Sequence, residues 1–441
     1  MAKAATHVLG VDMGTRYLKI VELRRQGSSI ALGALPVIVP TPDGSVDGGQ
    51  VVEGKAVAEA LREAVKAGGF GTKKVLMAVA GDPMVIVRVA EMAKLKGKDL
   101  EDAVKFEIGR HSQFPIEELY YDYAILEPDD APPDSENMEV LLAAAHEEAV
   151  NSSVRAVMDA RLQPVGVDVL PLAIARASML SMGATAFSQT LCCVHLGAAA
   201  TFIVIVRKGL PNFVRFLPTA GDALTDAVRS AGIADGALAE GVKRLYADAS
   251  LLMGYEESFG EGEEGSVFEV SDTSASDVAP AEGEEATLLD VEAPEEALAG
   301  PGPEEQRAAR AEGAAAEGSG PERSPEEEEV MERLAEALEQ PIVDLATEVR
   351  RSIEFYRRQH RNEPVDAVVL SGGGALLGGL EPFMAGELGI PSFLCNPFRE
   401  MAGVQENPNL SKYLEQAGPA LAAAVGLAVR DMVEVPVAAG S

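Results

Sequence analysis

Val8-Leu9-Gly10-Val11-Asp12-Met13-Gly14-Thr15-Arg16-Tyr17-Leu18-Lys19-Ile20-Val21-Glu22-Leu23 joins two apolar runs through an Asp-x-Gly-Thr turn. The pattern predicts a β-hairpin whose turn faces an anion. Gly14 lets the backbone approach closely, and Thr15 adds a hydroxyl donor. Lys19, following on the second strand, reaches back with a positive charge. Asp12 is placed to hold a metal ion through water. Asp-x-Gly turns occur on many surfaces, so the weight of this one rests on two partners further along.

The first partner is Val194-His195-Leu196-Gly197-Ala198-Ala199-Ala200-Thr201-Phe202-Ile203-Val204, again strand, glycine turn, threonine and strand. Two such turns facing each other hold phosphates between two related lobes. The second partner is Ala367-Val368-Val369-Leu370 running into Ser371-Gly372-Gly373-Gly374-Ala375. A glycine triplet is commonly a flexible turn. Placed after a buried strand, it reads as a side-chain-free surface against which a flat base can lie.

Other segments fill in an α/β pattern. Helical spacing appears over Ala56 to Lys66, Lys98 to His111 (with Asp99 as N-cap), Ala149 to Ala160, Pro171 to Leu180, Gly221 to Ser230, Leu238 to Ala247, Pro325 to Arg358 and Ala417 to Val429. A kink is expected near Pro341. Val75 to Ala80, Met84 to Val89, Tyr120 to Leu126, Met138 to Ala145 and Val165 to Leu170 read as strands, with a Pro- and Asp-rich loop over Pro128 to Glu136.

The formal net charge is −33, which argues against nucleic acid as a partner. Much of it is local, because residues 256–329 hold 24 acidic and 3 basic residues. The Glu-, Gly-, Ala-, Ser- and Pro-rich stretch 252–329 is expected to be a disordered acidic insertion, since it cannot bury enough apolar surface to offset the entropy of ordering. Cys192, Cys193 and Cys395 form no metal-binding spacing and are expected to be reduced and buried. No signal-peptide layout, membrane-length apolar run or basic amphipathic C-terminal helix is evident, so a cytoplasmic protein without direct membrane insertion is expected.

Taken in order, the three glycine elements resemble the actin-like ATPases, which include actin, the Hsp70 chaperones, sugar kinases, FtsA and MreB. The unit from Met84 to Ala160 resembles the extra subdomain of FtsA. Several stretches resemble the PilM family of type IV pilus assembly: Ala103-Val104-Lys105-Phe106-Glu107 followed by Phe114-Pro115, Val167-Asp168-Val169 with Pro171 and Ala175-Arg176-Ala177, and Ile353-Glu354-Phe355-Tyr356 ahead of the glycine cluster. The resemblance covers nearly everything outside 252–329.

It implies an α/β, actin-like two-lobed fold with an FtsA-type inserted β-α-β-β-α subdomain. Residues 1–83 would begin lobe 1, 84–163 form the insertion, and 164–190 complete lobe 1. Lobe 2 would occupy 191–251 and 330–441, with the final helix returning to lobe 1. The implied cofactors are ATP and Mg²⁺. Asp12, Gly14, Thr15 and Lys19 match the first phosphate loop, Gly197 and Thr201 the second, and Gly372, Gly373 and Gly374 the adenosine motif. Glu240 and Lys243 fall where the family contacts ribose and adenine; read alone, they are an exposed i,i+3 helix pair. The implied partners are the cytoplasmic N-terminal peptide of a PilN-like inner-membrane protein, other pilus platform proteins and motor ATPases. The protein would be held at the inner membrane through them, in support of twitching motility.

Two positions depart from an active ATPase. His195 stands where the superfamily usually has an acidic residue, and Leu170 where Glu often precedes the Pro. Hydrolysis needs a group that positions or activates water, so no catalytic residue is assigned and slow or absent turnover is expected. An FtsA-like polymerising cytoskeletal ATPase is the alternative; it normally carries the C-terminal amphipathic helix that is lacking here. A small-molecule kinase would need a catalytic carboxylate near the γ-phosphate. Lys94, Lys96, Lys98 and Lys105 on the insertion read as a solvated face, or as a dock for an acidic surface or anionic leaflet.

Overall fold

The computed structural model describes residues 6–126, 136–249, 252 and 325–432. Most of the expected acidic insertion and of the Pro128–Glu136 loop lies outside the described residues.

Two sheets carry the architecture. The first holds β1 (His7–Met13), β2 (Tyr17–Gln26), β3 (Ser29–Leu32), β4 (Val37–Pro40), β7 (Lys74–Val79) and β11 (Gln163–Val169) in the order β11-β7-β1-β2-β3, with β4 also on β2. The small hairpin β5 (Val46–Asp47) and β6 (Gln50–Val51) leads into α1 (Gly54–Gly68). The second holds β12 (Thr190–Leu196), β13 (Thr201–Arg207), β14 (Leu210–Leu217), β15 (Ala367–Ser371) and β16 (Ser392–Leu394) in the order β14-β13-β12-β15-β16. The two lobes share one plan. In each, the leading strand pairs antiparallel with the next and parallel with a later one: β1 with β2 and β7, β12 with β13 and β15.

β1 and β12 are buried along nearly their whole length, both faces being covered, and apolar residues fill most of each strand. Leu9 and Val11 of β1 pack with Val57 and Leu61 of α1, while Val8 faces Leu421 and Val425 of α9 (Pro408–Ala428). Lobe 2 is covered by α5 (Gly221–Ser230), α6 (Gly236–Tyr246), α7 (Pro325–Gln359) and α8 (Leu380–Leu388), with Leu334, Leu338, Ile342, Val349, Ile353 and Tyr356 of α7 in its core. Pro341 lies inside α7 without ending it.

The lobes meet through α4 (Leu170–Met182) and α9, which cross backbone to backbone. A Cβ added to Gly426 would lie 1.8 Å from the Ala173 carbonyl oxygen, and one on Gly10 would lie 1.9 Å from that of Ala424. Glycine at 10 and 426, where the chain meets the backbone of Ala424 and Ala173, is what permits this approach. Leu170–Phe187 has the length and mean hydropathy (1.3) of a membrane span; here it is the core helix between the lobes, packed on α9 and β13.

In the insertion, β8 (Val85–Ala93), β10 (Asn137–His146) and β9 (Leu119–Leu126) form a sheet in that order. α2 (Gly97–His111) covers one face through Leu100, Val104 and Ile108. The other face, with Val87, Leu126 and Leu141, packs against Val79 and Val169 of lobe 1 and Leu210 of lobe 2. α3 (Glu147–Asp159) leaves this sheet to pack on α1 and β6. The N-cap of α2 is Lys96, not Asp99; Asp99 sits in the first turn, where its charge complements the helix dipole without a capping bond.

Candidate functional site

Between the lobes lies a cleft of about 1170 Å³, entered by both glycine turns, the glycine cluster after β15 and the helices α5 and α6. The first turn is tight: the Gly14 N–H donates to the Tyr17 carbonyl at 3.2 Å, and its own carbonyl accepts from Thr41 Oγ1 at 2.7 Å. Asp12 and Lys19 are register partners across β1 and β2, so their side chains meet at 2.8 Å on the cleft side. Thr15 lines the cleft beside them.

The second turn closes in the same way, with the Gly197 N–H donating to Ala200 at 3.0 Å. The start of α5 is stitched onto it, Gly221 N–H to the Gly197 carbonyl (3.1 Å) and Asp222 N–H to that of Ala198 (2.8 Å). Thr201 takes no part in lining the cleft. It is fully buried, and its hydroxyl donates to the Thr219 carbonyl at 2.7 Å.

The glycine triplet divides its labour. Gly372 has φ +88, and a Cβ there would lie 2.2 Å from the Leu196 carbonyl oxygen, so it is required by packing and does not line the cleft. Gly373 and Gly374 do line it, and Gly373 has nothing within 4 Å of the place its Cβ would take.

Glu240 and Lys243 are not an exposed pair. Lys243 Nζ is 2.6 Å from Glu240 Oε2, 2.9 Å from the Gly221 carbonyl and 2.8 Å from Thr225 Oγ1, and Thr225 donates to Glu240 at 2.6 Å. Burial works to raise the Glu240 carboxyl, but the Lys243 charge and the hydrogen bonds from Lys243 and Thr225 hold it below its ordinary value. This network ties α6 to α5 at the cleft wall.

His195 is buried, with Nδ1 3.0 Å from Ser371 Oγ. Desolvation first, then the Lys19 charge, push it down to about 4 against the opposing pull of Asp12. It is therefore neutral at physiological pH, and Leu170, also on the cleft lining, offers no proton acceptor.

Four residues that sequence reasoning did not single out close the site. Arg16 donates to Asp222 Oδ1 at 2.7 Å across the cleft. Arg244 donates to Tyr17 Oη at 3.0 Å and stands 5.7 Å over that ring. Arg16 and Tyr17 were visible as large side chains in a glycine turn, but nothing in the sequence pairs them with residues more than 200 positions away. Chemically, two glycine turns with Lys19, Arg16 and Lys243 around them suit a polyanion, and the bare Gly373 surface suits a flat group. Among the described residues, no group of three His, Cys, Asp or Glu side chains forms a metal site. A hard cation held mainly by phosphate oxygens and water needs only a single nearby carboxylate, which Asp12 supplies.

The family described as type IV pilus assembly protein PilM matches residues 10–245 and 321–432. The chain belongs to the PilM family. Its likeness to a solved PilM–PilN type IV pilus biogenesis complex is 26% identity over 98% of this chain and 100% of that one, at a TM-score of 0.70. It is also similar to the ethanolamine utilization protein EutJ from Carboxydothermus hydrogenoformans (14% identity, 97% and 91% covered, TM-score 0.47). MreB5 of Spiroplasma citri bound to AMPPNP is similar at 12% identity, 93% and 98% covered, and a TM-score of 0.43. The two-lobed α/β fold of this chain is the PilM type, with the extra sheet between β7 and β11 inserted into the first lobe.

Proposed function

We propose that this PilM-family chain is a nucleotide-dependent scaffold of the type IV pilus assembly platform. Mg-ATP binds between the lobes, and a cytoplasmic N-terminal peptide of a PilN-like inner-membrane protein docks on the protein, holding it at the membrane. Contacts with other platform proteins and the motor ATPases follow from that position. The observation that carries the reading is the convergence of the Gly14 and Gly197 turns, Lys19 and Lys243 on one interlobe cleft.

In this reading Gly14, Thr15 and Lys19 hold one side of the phosphate chain and Gly197 the other. Gly373 and Gly374 support the base, with Glu240 and Lys243 at the ribose side. Mg²⁺, held by the phosphates and through water by Asp12, would neutralise the phosphate charge. Turnover is slow or absent, because a histidine held near pKa 4 is a weak base at neutral pH and a poor partner for a hard cation. Nucleotide then acts as a structural ligand whose binding favours one lobe arrangement.

The test is binding of Mg-ATP to the full chain by calorimetry, repeated with a synthetic peptide copying the N-terminal cytoplasmic segment of the PilN-like protein encoded in the same genome. Saturable binding of both is expected. Peptide binding that fails with and without Mg-ATP would sink the scaffold reading, and failure of Mg-ATP alone would sink the nucleotide.

A further inference from the structure

Three of the cations around the cleft, Lys19, Lys243 and Arg16, are each matched by a carboxylate, and the three pairs are unequal; Arg244 is held instead by the Tyr17 hydroxyl. The lysine side chains of Asp12–Lys19 and Glu240–Lys243 are 12% and 8% exposed. Arg16 and Asp222 are 38% and 33% exposed. Separating a buried pair strands a charge away from water, whereas an exposed pair contributes little and separates readily. Both Arg16 contacts, from Nε and Nη2, fall on the single oxygen Asp222 Oδ1. A guanidinium has five N–H donors, so three are not spent on this carboxylate.

The placement of the pair matters as much as its strength. Arg16 follows Thr15 in the first glycine turn, and Asp222 hangs from the second through its N–H bond to Ala198. The pair therefore stands between the two turns, at the cleft lining. A polyanion arriving between the two turns meets Lys19, Lys243 and Arg16 already neutralised, and of these three the one most cheaply released is Arg16.

We propose that Arg16 is a specificity-determining residue for the phosphate chain, held in reserve by Asp222. It exchanges the carboxylate for the phosphates of a nucleoside polyphosphate, so that affinity climbs with phosphate number. Asp222 is a competitor for Arg16, and its charge opposes the ligand. The inference rests on the nucleotide reading given above.

Equilibrium binding of Mg-ATP, Mg-ADP and AMP to the full chain tests it, using Arg16→Gln, Asp222→Asn and the double variant. Arg16→Gln is expected to weaken Mg-ATP about tenfold, the loss of roughly one charge-assisted hydrogen bond, Mg-ADP less, and AMP hardly at all. Asp222→Asn is expected to tighten Mg-ATP several-fold, and most of that gain disappears in the double variant. If the two residues only brace the lobes together, both single variants shift affinity in the same direction and AMP moves with ATP, which overturns the proposal. An unchanged ATP-to-AMP ratio in Arg16→Gln overturns it as well. Failure of the unaltered chain to bind any of the three nucleotides overturns the nucleotide reading itself, a result seen without any variant.

Discussion

His195 and Ser371 are register partners in the parallel β12–β15 ladder, and the His195 Nδ1 lies 3.0 Å from the Ser371 Oγ. The position that faces the second glycine turn is thereby fastened to the strand that ends in the glycine cluster. An imidazole engaged in this way, neutral and buried, is a structural bridge. Phosphate release from Mg-ATP is therefore expected to be slow or absent in the natural chain. His195→Asp should raise it by about tenfold or more, since a positioned acid or base contributes on the order of 10²–10⁴ in rate. Robust release by the natural chain would contradict this.

The same residue sets a pH window. Its ordinary value of 6.5 falls to about 4 in the folded chain. The unfolded chain thus takes up a proton between these values that the folded chain refuses. The stability contribution is full above pH 6.5 and is lost as pH falls toward 4, by on the order of 3 kcal/mol at the acid end. Urea unfolding of His195→Gln should show a flatter dependence across that window. An unaltered slope would mean that other groups carry it.

Backbone contact between α4 and α9 makes Gly426 intolerant of any side chain. Gly426→Ala is expected to destabilise the fold by about 3 kcal/mol, the upper range for overpacking. Gly386 in α8 has nothing within 4 Å of its missing Cβ. Gly386→Ala should instead stabilise by about 0.5–1 kcal/mol through backbone entropy. Denaturation midpoints of the two variants, side by side, check the contrast.

The two threonines of the glycine turns should separate in their effects. Thr201 spends its hydroxyl on the Thr219 carbonyl, so Thr201→Val should cost about 1 kcal/mol of stability and leave nucleotide affinity in place. Thr15 lines the cleft, and Thr15→Val should weaken Mg-ATP about three- to tenfold with little change in stability. Paired calorimetry and unfolding measurements resolve the two; a drop in affinity for Thr201→Val would return that residue to the site.

Much of the plan was legible in residue order. Apolar strands flanking Gly14 and Gly197 became β1–β2 and β12–β13, and the buried run before Gly372 became β15. Their turns do converge on one cleft. Individual roles were less legible, because a glycine or threonine near a ligand looks the same in sequence as one required by packing. Thr201 and Gly372 proved to be of the second kind. Short elements such as β4, β5, β6, β16 and α8 carry too few residues for periodicity to register. The Arg16–Asp222 and Tyr17–Arg244 contacts depend on lobe closure, which no local pattern encodes.

The insertion rests on supports from both lobes. β8 leans on β14, and the face carrying Leu141 also meets Leu210 of lobe 2, while α3 anchors the same unit to α1. A body mounted on two bearings tilts when one bearing moves. Rotation of lobe 2 about the α4–α9 crossing would thus reach the outer surface of the insertion as a change of inclination, with β8 as the lever arm. The outer surface of the insertion is in this way joined through packing to both walls of the cleft.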